Sequence, residues 1–203
     1  MKKVIYQTLV NSALCKDIAI EYPIGDRIAD IFLKNSQGKE VAIECPSSSL
    51  DILEFRKKIA YYSYKGIYGL WIFSGNTELD KRLVKLVHAR GARLYYKSTE
   101  LERRCHKWYY GRFYYFYNNT VYAVHLHPIE KWVASSCDEC IDESRCEYPE
   151  RADCPKYSEG HFQKPKELRE ISIYPVTNFR LMCVDRKDKL RIAKFNEPTW
   201  WKV

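Results

Sequence analysis

Apolar positions recur along this chain with two different periods, and each switch between them marks an element. Over 4–15 the period is helical, with Val4, Ile5, Thr8, Leu9, Ser12 and Ala13 toward one side. Three short strand-like runs follow at 17–22, 27–34 and 40–45, the last two joined by an Asn-Ser-Gln-Gly turn at 35–38. A helix is predicted next: Ser49 offers an N-cap, Leu50, Leu53, Ile59 and Ala60 form an apolar side, and Gly66 is a stop. The run IYGLWIFSG, 67–75, is apolar almost throughout and ends in glycine, as a strand buried on both faces should. A second amphipathic helix is predicted over 78–91, with Leu79, Leu83, Leu86 and Val87 inward, and a strand over 92–98. The order α, three strands, α, β, α, β predicts a mixed sheet with crossover helices on it.

Beyond about residue 100 the pattern becomes aromatic and β-like. WYYGRFYYFYNNTVYAVHLHPI, 108–129, predicts a hairpin turning at Asn118 and Asn119, and 171–195 predicts further strands with a turn at 186–188. There is no internal repeat. The expected division is a first domain over 1–103 and a β-rich region over 104–203, with GHFQKPKE, 160–167, as an exposed linker.

Composition agrees with a folded protein. Of the 203 residues, 15% are aromatic and 17 are tyrosine, and no run approaches the roughly 18 apolar residues of a membrane span. Two lysines open the chain, as in a secretory leader, but Gln7, Thr8, Asn11 and Ser12 interrupt the apolar core that a leader needs. A cytoplasmic, membrane-free protein is therefore expected. In a reducing compartment, eight cysteines point to metal ligands and buried thiols rather than disulfides. A net charge of +8 and a pI near 9.0 suit a polyanionic partner.

The candidate chemistry begins with carboxylates. Asp30, Phe32 and Lys34 share one strand face, Glu44 on the next strand can lie opposite Asp30, and Glu21 can add a third acid from the strand before. Carboxylates converging from paired strands bind magnesium through oxygen and leave positions for water and phosphate, which metal-assisted phosphodiester hydrolysis requires. By spacing alone, the same acids also suit a solvated row of strand ends.

The segments RIADIF and VAIECPSSS, followed by Arg56, Tyr61 and LWIFSG at 70–75, resemble the nuclease-like domain of the CoiA competence-protein family, within the PD-(D/E)xK nuclease superfamily. The resemblance covers about residues 1–98. It implies an α/β fold, a PD-(D/E)xK nuclease-like mixed sheet flanked by helices, here followed by an aromatic β-rich C-terminal region. It implies that Asp30 and Glu44 hold Mg2+ or Mn2+, that Glu21 is the upstream acid, and that Ser48 and Arg56 occupy family positions at the following helix. The third motif position, where such enzymes carry Lys or often Gln, is Pro46. Lys34, Lys57 or Lys58 would then have to supply the cation, since only the ammonium must be near the phosphate. The implied function is a metal-dependent deoxyribonuclease in DNA processing, uptake or recombination, with Ser48, Arg56, Lys57 and Arg112 contacting DNA. The alternatives are a catalytically inactive DNA-binding relative and a zinc-stabilised protein-interaction module.

A second chemical signal is CDECIDESRCEYPERADC, which places Cys137, Cys140, Cys146 and Cys154 within a short segment. Four soft ligands with a C-x-x-C knuckle suit a structural Zn2+. An iron-sulfur cluster is the alternative, because Cys15 with Cys137, Cys140 and Cys146 resembles the layout of RecB-like nucleases. The block has seven acids against two arginines, which favours a structural clip or a protein contact over a phosphate-gripping finger. The aromatic hairpin, flanked by Arg103, Arg104, Lys107 and Arg112, either stacks single-stranded bases through Tyr115 and Tyr117 or fills its own core. His125 and His127 share a strand face there and read as decoration of an aromatic sheet rather than as ligands.

Overall fold

In the computed structural model the described residues are 1–12, 14–46, 51–74, 83–88, 91–129, 131–134, 160–163 and 168–196. They form two compact units that interleave along the chain: Met1–Lys81, Glu100–His125 and Ser172–Val203 make the first, Arg82–Thr99 and Leu126–Ile171 the second.

The first unit opens with α1 (Lys2–Asn11), which turns Ile5 and Leu9 inward, one helical turn apart. Then come β1 (Cys15–Ile24), β2 (Arg27–Asn35) and β3 (Glu40–Glu44), paired antiparallel in that order. The β2–β3 turn is held by Asn35, whose Oδ1 accepts the amides of Gln37 and Lys39, both at 3.0 Å. After α2 (Ile52–Tyr64) the chain enters β4 (Tyr68–Ser74), parallel to β3, with six of its seven residues buried. Such a strand needs apolar side chains on both faces, which is why LWIF interrupts the usual alternation.

α3 (Glu100–Trp108) leads into β7 (Phe113–Tyr117), parallel to β4, and a hairpin returns as β8 (Thr120–Pro128). Its turn is formed by Asn118 and Asn119, both left-handed with φ 45 and 57, the backbone that a two-residue hairpin turn of this hand demands. β12 (Leu181–Asp185) and β13 (Arg191–Phe195) form an antiparallel pair, and β13 lies parallel to β4 at Ile192 and Gly69. β4 therefore forks: its first half meets β13 and its second half meets β7.

In the second unit, β5 (Leu83–His88) and β6 (Gly91–Lys97) pair antiparallel, and β6 pairs with the start of β11 (Leu168–Pro175). β9 (Lys131–Ala134) and β10 (Gly160–Gln163) make a separate two-stranded ribbon.

Several expectations change. The first helix stops at Asn11 and Cys15 opens β1; Ser12 caps the helix end and donates its hydroxyl to the carbonyl of Leu9 at 2.7 Å. The helix predicted over 78–91 is, over 83–88, strand β5. Its Leu-Val-Lys-Leu-Val-His fits either period, and pairing along six residues of β6 decides for the strand. The strand expected over 92–98 is present as Gly91–Lys97, while the helix that follows β4 and the strand it leads to are α3 and β7. α2 buries Phe55, Ile59 and Tyr62, while Leu53 is 58% exposed, because Phe55 packs edge-on to Trp71 and stacks on Trp108. The stretch expected as a linker begins as β10, and the 103/104 division falls inside α3.

Gly69 sits at the fork of β4, and a Cβ there would stand 2.4 Å from the ring of Trp71, itself 1% exposed. Its carbonyl also accepts the hydroxyl of Tyr109 at 2.9 Å. Neither ring has room to retreat, so Gly69→Ala should destabilise the fold by about 1–3 kcal/mol, read from urea denaturation, with an unchanged midpoint showing that the fork is loosely packed.

Candidate active site

Strand register brings the three acids into one row. The β1–β2 pairs Ile20–Ile31 and Tyr22–Ala29 bracket Glu21 and Asp30 as opposite positions. The β2–β3 pairs Phe32–Ala42 and Ile31–Ile43, continued by one residue, set Asp30 opposite Glu44. Opposite side chains of an antiparallel pair share a face with Cβ atoms about 5 Å apart. Glu21 is a left-handed residue, φ 53, near the outer end of β1, and its side chain is 68% exposed. Exposure falls across the row, from Glu21 through Asp30 at 21% to Glu44 at 4%.

Each inner carboxylate is gripped twice. Asp30 Oδ2 accepts the backbone N–H of Cys45 at 2.7 Å, and its Oδ1 meets Lys2 Nζ at 2.8 Å. Glu44 Oε2 accepts Lys58 Nζ at 2.8 Å, and its Oε1 accepts the hydroxyl of Tyr62. Lys2 also lies 3.4 Å from Glu21 Oε1, so its ammonium bridges the two outer acids. The hydrogen bond to Asp30 raises the Lys2 pKa above its ordinary value and keeps the ammonium charged.

The local fold explains this placement. Lys58 and Tyr62 are one helical turn apart on α2 and reach the same carboxylate. α2 is pinned over the end of β3 by Tyr61, which donates to the Ile24 carbonyl at 2.8 Å, and by an Arg27–Glu54 ion pair at 3.0 Å. Pro46 lies just past the end of β3, where the missing amide breaks no ladder bond. Burial pushes Glu44 above the ordinary carboxyl range, against the Lys58 and Tyr62 hydrogen bonds that pull it down. Burial beside both acids pushes the Cys45 thiol up to about 12, which keeps it protonated.

The sequence profile described as "Competence protein CoiA, nuclease-like domain" matches residues 1–134. The chain belongs to that family. No curated protein and no solved structure matches it. No helix among the described residues is long and apolar enough to cross a membrane.

Within this CoiA nuclease-like domain, carboxylates on adjacent strands are hard-oxygen donors of the kind that divalent cations take. The ammonium of Lys2 stands between Asp30 and Glu21. Among the described residues, no three His, Cys, Asp or Glu side chains are gathered closely enough to hold an ion together; both oxygens of Asp30 and of Glu44 are engaged by donors of the chain itself.

The other candidates are distributed as follows. Lys34 reaches Asp17 on β1 at 3.1 Å rather than the acid row. Arg56 and Lys57 are exposed on α2, and it is the next residue, Lys58, that reaches Glu44. Arg112 is 4% exposed just before β7, and not on the surface where a phosphate backbone lies. Tyr115 is 3% exposed and donates to the buried Glu102, so in β7 the aromatic residues fill the core instead of offering a stacking face. Tyr117 is half-buried against Tyr122. His125 meets His106 edge-on at 6.2 Å. Ser48 and the cysteines Cys137, Cys140, Cys146 and Cys154 lie outside the described residues; Cys15 is half-buried in β1, and burial raises its pKa.

Sequence reasoning missed Lys2 and Tyr62. Tyr62 was findable, one turn after Lys58 on the same helix face. Lys2 was not, because nothing in the spacing of a helical N-terminus tells which strand its side chain crosses.

The folded pKa of Glu44 lies above its unfolded value, so ionisation of this group costs stability. That cost is absent below the ordinary carboxyl range near pH ~4.3 and complete once pH passes the raised value. Lys58→Met removes the charge that offsets it. The variant should be less stable than wild type by about 1–3 kcal/mol near pH ~8 and by less near pH ~4, measured as denaturation midpoints; a gap that does not widen with pH refutes an ionised Glu44 beside Lys58.

Proposed function

We propose that this chain is a divalent-metal-dependent deoxyribonuclease that hydrolyses DNA phosphodiesters in DNA processing, uptake or recombination. Asp30 and Glu44, with Glu21 beside them, would hold the cation, Mg2+ or Mn2+, which would supply an activated water and neutralise charge on the phosphate. The observation that carries the reading is the 2.8 Å contact between Lys58 Nζ and Glu44 Oε2. It brings an ammonium from α2 to the carboxylate beside which the motif's third residue would stand, so Pro46 does not leave the site without a protein cation.

Each residue has a distinct task in this reading. Cys45 N–H orients Asp30 and leaves Oδ1 turned toward the row. Tyr62 fixes the rotamer of Glu44, and Lys58 keeps the buried carboxylate charged while adding positive charge where the attacked phosphate gains negative charge. The basic balance of the chain, +8, favours a polyanionic partner. The second reading, a non-catalytic DNA-binding relative, draws on the donors that already engage both oxygens of Asp30 and of Glu44.

Cleavage of single- and double-stranded DNA with Mg2+ and with Mn2+ separates the two. Asp30→Asn and Glu44→Gln should abolish cleavage while the protein stays folded, and Lys58→Met should slow it by roughly 10²–10³-fold with Lys58→Arg partly restoring it. Salt-sensitive DNA binding without turnover in either metal assigns the second reading. The cysteine block is read as a zinc clip and protein contact: elemental analysis of the purified chain should return one zinc, whereas iron would assign the cluster that includes Cys15.

A further inference from the structure

Lys2 belongs to no nuclease motif and sits on a different element from the helix that carries Lys58. Its ammonium is 2.8 Å from Asp30 Oδ1 and 3.4 Å from Glu21 Oε1. We infer that Lys2 is a resident counter-ion that holds the divalent cation's place between Asp30 and Glu21 and leaves it when the cation binds, so that α1 sets the metal affinity of the site. This inference rests on the metal-site reading above.

The geometry makes the two cations exclusive. A divalent ion takes carboxylate oxygens at about 2.0–2.6 Å, so an ion on Asp30 Oδ1 that also reaches Glu21 needs the volume that the ammonium fills. Moving the ammonium only slightly leaves like charges a few ångströms apart, which repel. Lys2 can swing away. Its side chain is 39% exposed on a flexible stem, and α1 is anchored by Ile5 and Leu9, not by this ion pair. Lys58 differs: it is 25% exposed and serves a carboxylate that is 4% exposed, where losing the ammonium strands a buried charge. One lysine therefore exchanges with the metal and the other stays beside it.

Removing Lys2 has two effects of the same sign. It takes away a competitor, and it leaves Asp30 and Glu21 facing each other without a cation. Both favour the metal-bound form over the metal-free one.

The test is calorimetric titration of the untagged full chain with Mn2+, in wild type, Lys2→Met, Lys2→Arg and Asp30→Asn, with circular dichroism as the check on folding. Lys2→Met should bind Mn2+ roughly tenfold more tightly than wild type, Lys2→Arg about as wild type, and Asp30→Asn should lose the binding heat. The metal-free Lys2→Met should also melt at a lower temperature than wild type and regain the difference in Mn2+. If Lys2→Met does not fold, Lys2→Gln carries the same expectation. Equal or weaker binding in the uncharged variants, with Asp30→Asn silent, overturns the exchange and leaves the metal site intact. Absence of Mn2+ binding in wild type and variants alike overturns the metal-site reading and the exchange with it.

Discussion

A carboxylate buried at the end of a strand obliges the rest of the unit to serve it. Glu44 is 3% exposed as a residue, and an ionised group so placed needs donors within reach. Both side-chain donors come from α2, one turn apart, so the helix has to cross the sheet at one height and with one rotation. That rotation turns Phe55 and Ile59 into the core and leaves Leu53 in solvent. The cross-links at Tyr61 and Arg27 secure the same crossing from the other side. The position of α2 is thus set by a polar demand as much as by an apolar face.

Polarity along the acid row is graded rather than uniform. The outer acid is solvated, the middle one half-covered, the inner one dry, and each cation is matched to its neighbour's environment. The more exposed lysine, Lys2, sits at the wet end and the more buried one, Lys58, at the dry end. The backbone contributes as well, through the amide of Cys45, the residue between Glu44 and Pro46. Because Pro46 closes the strand, that amide is spared from a further ladder and remains available to Asp30.

How far the sequence could be read depends on the range of the interaction behind each element. The three strands 15–24, 27–35 and 40–44, their turn at Asn35 and the buried β4 were legible because alternation, turn residues and a continuous apolar run are local signals. The Asn118–Asn119 turn was legible for the same reason. Opposition of Asp30 and Glu44 followed from a short turn between strands of known phase. Segment 83–88 was not legible: its apolar spacing suits helix and strand alike, and only pairing with β6 decides. The helix face of α2 was misjudged because Trp71 and Trp108, far along the chain, select Phe55 over Leu53. Lys2 meeting Asp30 is a tertiary contact that no period encodes.

The fork of β4 has a consequence for how this protein is made. Half of that strand is completed by β13, whose residues leave the ribosome only after the whole of the second unit's last segment has been synthesised. Until then Asn35 lacks its bond to the Leu181 carbonyl, Tyr114 lacks the Phe195 amide, and the apolar edge at Gly69 stands open. The first unit cannot finish folding before its last segment, Ser172–Val203, is made, and the nascent chain must keep a hydrophobic strand edge from other chains while it waits. Residues 1–134, the part that the family profile covers, carry the acid row yet not the strands that close the sheet behind it.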